Sequence, residues 1–332
     1  MQGLFGYIIR RLMWAPVVIF LVSFLAFSIT RFGPGDYVDV LAGPRATPEA
    51  EERLREQNGL NDPFYQQYGD YMWNVIAHQD FGESYTQYRG VDVWTIIWPR
   101  ILVSVQPGLV ALIIAFTLGT AVGAFAALKQ GTWLDPFSIS SFLFFQSVPV
   151  LVTLPFLVLL FVVKLGWLPA TGWGGPDVDV GPQTISLGIF SKHIILPALA
   201  LSLPGVAGVA RLVRATTLSV LGEDYVRTAR AKGLREWTVV TRHVMRNSLL
   251  PLVTLIGLSL ITLLEGAFFT ETILGIPGIG ALTYEAATGR DYDIILALVL
   301  IIAFAFVMVN IVVDIAYTFI DPRVRLDGQG QR

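Results

Sequence analysis

The sequence predicts an all-α, polytopic membrane protein with six transmembrane helices. Of its 332 residues, 54% are hydrophobic and only 14% are charged, and the mean hydropathy of +0.62 is too high for a soluble globular protein. The apolar residues form continuous uncharged runs, whereas a transmembrane β-barrel would alternate apolar and polar residues. A basic amphipathic segment separates two of these runs, as expected for a connection at a membrane surface.

Six apolar runs account for the predicted spans, because a transmembrane helix requires about 20 apolar residues. The runs are 12–30, 101–128, 136–163, 194–210, 249–264 and 294–313. The first follows Arg10 and Arg11 and is longer than the usual core of a signal peptide, so it is predicted to be a retained helix. The fourth is short and contains Pro197 and Pro204, and it is expected to continue towards Arg214.

The distribution of Lys and Arg predicts the orientation of the spans. With the N-terminus in the cytoplasm, the cytoplasmic connections contain most of these residues, whereas the two short outer connections contain only Lys164, Lys192 and Arg290. The long connection 31–100 contains several arginines, but long segments are translocated largely regardless of charge. Both termini, including the tail 321–332, are therefore predicted to lie in the cytoplasm.

Residues 31–100 form one sizeable, acidic outer segment. Thr47-Pro48-Glu49 is typical of a helix start, and Asn58-Gly59 is typical of its end. Asp62-Pro63 begins a second predicted helix with the aromatic residues Phe64, Tyr65, Tyr68, Tyr71 and Trp73. These rings either cover the outer rim of the spans as an interfacial belt or dock a soluble partner outside. The chain thus divides into an N-terminal helix, an extracytoplasmic segment, a membrane core and a cytoplasmic tail, at residues 1–30, 31–100, 101–320 and 321–332.

The basic segment, residues 223–251, lies between the fourth and fifth predicted spans. Its cations are Arg227, Arg230, Lys232, Arg235, Arg242 and Arg246. Apolar or small residues recur at three- and four-residue steps, which predicts a helix with one apolar and one basic face: Val226, Ala229, Gly233, Leu234, Trp237, Val240 and Val244. Gly233 is expected to separate two short helices.

Two partners are compatible with this basic segment. Anionic lipid attracts each nearby cation by about 1 kcal/mol. Lipid contact alone would not explain the small residues Ala229, Ala231 and Gly233, which allow a protein partner to approach closely. The segment is therefore predicted to dock a protein on the cytoplasmic side of the membrane.

No catalytic constellation is present in the sequence. It contains no H-E-x-x-H, no G-x-S-x-G and no Gly-rich phosphate loop ending in Gly-Lys-Ser/Thr. His78, His193 and His243 are far apart, and there are no cysteines for disulfides or thiolate metal sites. The chain is predicted to be non-catalytic, with no catalytic or metal-ligating residues, so any ATP that it uses is hydrolysed by another chain.

Several short sequences occur in a characteristic order around the six runs. They are Arg10-Arg11-Leu12, Gly35-Asp36, Ala46-Thr47-Pro48-Glu49, Phe81-Gly82-Glu83-Ser84-Tyr85, Lys164-Leu165-Gly166-Trp167-Leu168-Pro169, the stretch from Asp224 to Leu234, and Asp321-Pro322-Arg323. With them the chain resembles the inner-membrane permease subunit of a binding-protein-dependent ABC transporter of the dipeptide/oligopeptide group, and specifically the first of its two permease subunits. The resemblance implies the type I ABC importer permease fold, with a small helical extracytoplasmic insertion after the first helix.

The resemblance implies that residues 215–250 are the coupling segment, which docks into a groove on an ATP-binding subunit. It assigns this role to Asp224, Tyr225, Arg227, Thr228, Ala229, Arg230, Ala231, Lys232, Gly233 and Leu234. The general permease signature places Glu-Ala-Ala before the glycine. This chain instead has Arg227-Thr228-Ala229 before Gly233, so the alanine and the glycine match while the first glutamate is missing.

The resemblance also implies a set of partners and a location. The partners are a second homologous permease subunit, two ATP-binding subunits that hold ATP and Mg, an extracytoplasmic substrate-binding protein, and membrane lipid. No nucleic acid and no cofactor bound by this chain are expected. The location implied is the cytoplasmic (inner) membrane of a bacterium or archaeon.

Polar residues in or near the spans are candidates for the substrate pathway, because they are costly in lipid. The candidates are Gln146, Ser147, Glu265 and Glu271. Glu265 either faces the cavity, where it would attract a substrate amino group, or lies near the outer interface. Glu271 precedes the run 275–280, which resembles the outer constriction segment of the family and would equally suit an ordinary tight loop.

Gly119 and Gly123 form a G-x-x-x-G pattern in the second predicted span. Glycines at this spacing allow two membrane helices to approach closely. The contact is expected either within this chain or across the pair of permease subunits.

The function predicted is import of peptides by ATP-driven alternating access, with this chain forming half of the pathway. The same mechanism would also suit an oligosaccharide, glutathione or a nickel chelate. A membrane-embedded enzyme or receptor is the alternative from another class, and the missing catalytic constellation disfavours it.

Overall fold

The computed structural model describes residues 2–32, 38, 47–57, 59–180, 183–249, 251–252, 255–257, 259 and 268–320. The helices of the apolar runs and of the basic segment are α1 (Gln2–Phe32), α4 (Val93–Leu128), α5 (Leu134–Ser147), α6 (Val150–Val158), α7 (Ile195–Leu221), α8 (Asp224–Ala231), α9 (Glu236–Thr238), α10 (Arg246–Ser248) and α13 (Tyr292–Ile320). The remaining elements lie in the connections predicted to be outside: α2 (Pro48–Gln57), α3 (Phe64–Trp73), β1 (Glu83–Ser84), β2 (Val91–Asp92), β3 (Asp177–Val180), β4 (Gln183–Ser186), α11 (Phe268–Leu274) and α12 (Ile279–Gly289).

Four of these helices are long and apolar enough to cross a membrane. They cover Arg11–Phe32, Val93–Leu128, Lys192–Leu221 and Tyr292–Val313. The pair α5 and α6, continued by the π-helix Leu159–Lys164, passes the same test as one span bent by 105°. The predicted span 249–264 lies largely outside the described residues, so the count of six stays a prediction.

The bend between α5 and α6 has a local cause. Pro149 follows Val148, whose backbone is extended with φ −95° and ψ 124°. A proline disfavours helical geometry in the residue before it and has no N–H to continue the helix. The apolar run 136–163 is therefore divided into two helices, which hydropathy alone did not predict.

The second and fourth spans extend beyond their apolar runs. Helix α4 begins at Val93 because the Asp92 carboxylate accepts a bond from the Thr95 N–H at 2.9 Å and caps the helix. Helix α7 passes through Pro204 and ends at Leu221, which confirms the expected continuation towards Arg214. These extensions bring the helices to the outer hairpin and to the basic segment, respectively.

The core of the bundle is the close contact between α4 and α7. A Cβ on Gly119 would lie 2.6 Å from Cβ of Val209, and one on Gly123 would lie 2.4 Å from the carbonyl oxygen of Ala210. Both distances are far too short for a real side chain. The G-x-x-x-G pattern is therefore used within this chain rather than across a pair of subunits.

We expect Gly123→Ala to destabilise this contact by about 1–3 kcal/mol, because the added methyl meets backbone that cannot turn away. Thermal unfolding of the purified protein in detergent measures the effect. Gly208→Ala is the matched control, since a Cβ on this α7 glycine has no heavy atom within 4 Å. Equal melting temperatures for the two variants would contradict the packing argument.

The outer segment contains the helices that the sequence predicts. The Ala50 N–H donates to the Thr47 carbonyl at 2.9 Å at the start of α2, and Pro63 precedes α3. In α3 three aromatic rings, Phe64, Tyr68 and Tyr71, pack on α1 and α13. Tyr65 and Trp73 are exposed instead. One face of the aromatic helix therefore covers the spans, as one of the two interpretations expects, while docking of a partner stays a prediction.

Two short antiparallel hairpins, β1–β2 and β3–β4, were not predicted. The first is attached to the membrane core by side chains. Asp291, which is only 2% exposed, accepts bonds from the Ser84 hydroxyl at 2.5 Å and the Thr86 hydroxyl at 2.9 Å. Tyr88 donates to Glu285 at 3.0 Å. This hairpin is thus held against α12 and the start of α13.

Candidate functional site

After the end of α7, the segment predicted to couple to an ATP-binding subunit folds as two helical stretches joined by a tight turn. Helix α8 ends at Ala231, and Gly233 has a φ of +76°, a left-handed conformation that favours glycine. The chain then continues through α9, the π-helix Val239–Met245 and α10. The break that the sequence predicts at Gly233 is confirmed.

The inner face of the coupling segment is packed against its own chain. Val226, Ala229, Val239 and Val244 form a buried cluster, on which Val220 and Leu221 from the end of α7 also pack. The cluster joins both stretches of the segment directly to α7.

Polar contacts close the turn. Arg230 of α8 donates to both carboxylate oxygens of Glu236 in α9, at 2.7 and 3.2 Å. This pairing lowers the pKa of the Glu236 carboxyl, so the pair stays charged at neutral pH. The amide of Asn247 donates to the Tyr225 hydroxyl at 2.7 Å and links α10 to α8. The two stretches therefore form one unit with fixed geometry.

The outer face of this unit is open. Nine of the ten residues assigned to coupling have exposed side chains or, for glycine, an exposed backbone: Asp224, Tyr225, Arg227, Thr228, Arg230, Ala231, Lys232, Gly233 and Leu234. Ala229 differs, because it is 5% exposed and lies in the buried cluster. The close approach that this alanine allows is within the chain.

Trp237 belongs to the same surface, although the sequence assigned it no role. It is 77% exposed, and Leu234 near it in the chain is 41% exposed, whereas four members of the predicted apolar stripe are buried, namely Val226, Ala229, Val240 and Val244. The sequence contained a signal that Trp237 could be exposed. Trp237 comes after the turn at Gly233, and the helical periodicity that places residues on one face does not continue across a turn.

A cavity of about 390 Å³ lies between the transmembrane helices. Its lining comes from α4, α5, α7 and the predicted fifth span, and its polar members are Ser104, Gln146 and Ser259. The Gln146 side-chain oxygen accepts a bond from Arg211 at 2.5 Å, and the Arg211 side chain is exposed. The cavity is thus largely apolar, with a cation bonded at one of its polar groups.

The four pathway candidates occupy different environments. Gln146 lines the cavity, whereas the exposed Ser147 does not and donates to the Leu143 carbonyl at 3.1 Å. Glu271 is fully buried beneath the loop between α11 and α12, and its carboxylate accepts backbone bonds there. Glu265 lies outside the described residues. Of the three candidates that the structure describes, only Gln146 lines the cavity.

An ion pair that the sequence did not predict joins α5 and α7 near the coupling segment. The Arg214 guanidinium donates to both oxygens of Asp135, at 2.5 and 2.6 Å. The Asp135 side chain is only 8% exposed and that of Arg214 is 33% exposed.

Among the described residues, no group of three or more His, Asp or Glu side chains is placed to hold a metal ion.

Comparison with known protein families shows which family this chain belongs to. Residues 119–326 match the binding-protein-dependent transport system inner membrane component, and residues 4–92 match the N-terminal family of the same transport systems. The chain belongs to this family. It is therefore a multi-pass permease component of an ABC importer, a subunit without the ATPase, and the all-α permease fold is confirmed.

Curated relatives of this permease align over almost its whole length. The di/tripeptide transport system permease protein DppB of Pseudomonas aeruginosa (strain UCBPP-PA14) is 38% identical over 96% of this chain and 98% of its own. The dipeptide transport system permease protein DppB of Escherichia coli (strain K12) is 36% identical over 96% and 98%. The oligopeptide transport system permease protein OppB of Haemophilus influenzae (strain ATCC 51907 / DSM 11121 / KW20 / Rd) is 33% identical over 96% and 99%.

A solved structure shares the fold of this permease. A chain of the MetNI methionine ABC transporter, determined in inward-facing conformations, superposes with a TM-score of 0.54 at 16% identity. The match covers 68% of this chain and 97% of that chain. Family membership implies, in general terms, an ATPase, a second permease and a substrate-binding protein as partners.

Proposed function

We propose that this permease forms half of the translocation pathway of an ATP-driven peptide importer. The observation that carries the proposal is the agreement of relatives named for dipeptides, di/tripeptides and oligopeptides over 96% of the chain. The cavity of about 390 Å³ has few polar groups, which suits substrates with varied side chains. The substrates that remain as outcomes of the test are oligosaccharides, glutathione and nickel chelates.

The coupling segment docks the ATP-binding subunit in this proposal. Its exposed face combines cations with an unusually exposed Trp237 and Leu234, which is the composition of an interface anchor surrounded by charge. The buried cluster and the Arg230–Glu236 pair hold that face in one geometry. Closure of the ATP-binding subunits therefore moves α7 instead of deforming the segment.

The remaining partners and the orientation follow from the same scheme. Two ATP-binding subunits hold ATP and Mg on the cytoplasmic side, where both termini of this chain also lie. A second homologous permease completes the pathway, and a substrate-binding protein delivers peptide to the extracytoplasmic segment 31–100. The membrane is the cytoplasmic membrane of a bacterium or archaeon. Substrate must favour one of two conformations if transport is to be coupled to ATP.

Gln146, Ser147, Glu265 and Glu271 remain candidates for the substrate pathway. Gln146 has the strongest support, because its side chain lines the cavity and bonds to Arg211. A peptide carboxylate in this part of the cavity would find a cation and an amide together. Glu265 would attract the amino group if it faces the same cavity.

Uptake by the reconstituted complex tests the substrate class. The permease, its neighbouring subunits and the binding protein are placed in liposomes and offered a mixed peptide pool and a mixed glycan pool. ATP is supplied on one side or the other, and accumulated species are identified by mass spectrometry. We expect peptides to accumulate only with ATP on the side of the coupling segment. Uptake of glycans alone, or no ATP-dependent uptake by an intact complex, would overturn the peptide assignment.

A further inference from the structure

Glu271 makes an unusual connection between two neighbouring helices. It belongs to α11 and is 0% exposed, and its Oε2 accepts bonds from the Gly280 N–H at 2.7 Å and the Ala281 N–H at 3.2 Å. These donors lie in the first turn of α12, whose own N-cap residue, Gly278, has no side chain. The carboxylate of one helix thus caps the next, where the helix dipole also favours a negative charge.

A second helix supplies the neighbouring acceptor. The hydroxyl of Ser104, on α4, accepts a bond from the Ile279 N–H at 2.7 Å. Three successive N–H groups at the start of α12 are therefore satisfied by side chains from α11 and α4. A Cβ on Gly278 would lie 2.3 Å from Oε2 of Glu271 and 2.4 Å from Oγ of Ser104. Only glycine fits between these two acceptors.

The start of α12 lies beside the cavity. Ser104 lines the cavity, and its hydroxyl accepts the bond from Ile279, the first residue of α12 after the loop 275–278. Ser104 lies in the first third of α4, the part that follows the outer hairpin, which places this end of the cavity towards the extracytoplasmic side. Ile276 is 1% exposed, and the Gly172 N–H donates to the Leu274 carbonyl at 2.7 Å. This region is thus held by the chain at Gly172 as well as by Ser104 of α4.

We propose that Glu271 is a positioning residue that holds the loop 275–278 closed over the outer end of the cavity. This rests on the proposed transport function, in which the cavity must open outwards to receive substrate. The bonds to Gly280 and Ala281 exist in the closed arrangement and are broken when α12 moves away. They therefore favour the closed state selectively, which is the condition for shifting a conformational equilibrium. Glu271 acts through the loop and does not contact substrate.

Thiol labelling tests the proposal without any transported substrate. The chain has no cysteine, so a single Leu112→Cys substitution places one reporter thiol in the lining of the cavity. The complete complex in sealed liposomes is treated with a membrane-impermeant maleimide from the extracytoplasmic side, without ATP. We expect Glu271→Gln to raise the labelling rate about tenfold, since a neutral amide oxygen replaces a charged acceptor of two bonds.

Ser104→Ala provides a second variant, which removes the acceptor of a single neighbouring bond and is expected to raise labelling in the same direction by a smaller factor. It keeps the proposal testable if Glu271→Gln fails to assemble. Unchanged labelling in both variants would overturn the proposal. A raised KM for peptide with unchanged labelling would also overturn it, because Glu271 would then contact substrate. Failure of all peptide uptake by the unsubstituted complex refutes the substrate class and leaves the labelling result standing.

Discussion

Replacing Trp237 by alanine is expected to lower ATP-driven uptake at least about tenfold and to release the ATP-binding subunits during purification. The ring is 77% exposed in the isolated chain, which is a large apolar surface for a residue next to several cations. A tryptophan that anchors an interface contributes about 2 kcal/mol or more, which corresponds to roughly 30-fold in affinity. The measurement is the amount of ATP-binding subunit that copurifies, together with uptake per complex.

Folding of the permease itself should be unaffected by this substitution. The buried cluster formed by Val226, Ala229, Val239 and Val244 does not include Trp237, and the Arg230–Glu236 pair does not depend on it. Trp133→Ala is the matched control, because this tryptophan is 70% exposed in the turn before α5 and lies outside the coupling segment. A Trp237→Ala complex that retains its ATP-binding subunits and full uptake would show that the docking assignment is wrong.

Gly233→Trp is also expected to lower uptake and to release the ATP-binding subunits. It does so by adding a large side chain to the docking face, whereas Trp237→Ala removes one. The glycine has a φ of +76°, and no heavy atom would lie within 4 Å of an added Cβ. A tryptophan therefore meets no neighbour in this chain, but it strains the backbone by about 1–2 kcal/mol and projects from the docking face. We expect loss of uptake and of subunit association with normal insertion in the membrane. Full uptake with the subunits bound would contradict the prediction.

The sequence predicts features that depend on neighbouring residues. Continuous apolar runs predict membrane helices because each residue of a span meets the same solvent, and the pattern of apolar, small and basic residues predicts that the basic segment docks a protein. The turn at Gly233 follows from the residue itself. In the outer segment, the Thr47-Pro48-Glu49 start of α2 is recognisable because a helix cap is a contact over three residues.

Features that depend on contacts between residues far apart in the sequence could not be predicted. From the sequence, Glu271 was predicted to belong to the substrate pathway. The sequence does not show that Glu271 accepts bonds from the Gly280 and Ala281 N–H groups, or that Ser104 supplies the neighbouring acceptor. Ala229 reads as a small residue for a partner, whereas its neighbour is the π-helix that follows α9. The hairpin β1–β2 has two residues in each strand, which is too short for any periodicity.

The ion pair between Arg214 and Asp135 is expected to stabilise the contact between α5 and α7. We expect Arg214→Ala to destabilise the permease by about 3 kcal/mol, because the nearly buried carboxylate loses both of its guanidinium donors. This value is at the lower end for a buried pair, since the guanidinium is one-third exposed. The melting temperature in detergent should fall by roughly 4 °C.

The double variant Arg214→Ala with Asp135→Asn separates the charge from the packing. An asparagine carries no charge to leave unpaired, so most of the lost stability should return and the two substitutions should be strongly non-additive. Additive effects, or a single variant that melts at the same temperature as the unsubstituted protein, would contradict this account.

The pair also has a mechanical consequence. Arg214 lies less than two turns before the end of α7, so it fixes α5 to the part of α7 that, in the proposed mechanism, the coupling segment displaces. Uptake by the double variant should therefore remain below that of the unsubstituted protein even where stability is restored, because the two helices no longer move together.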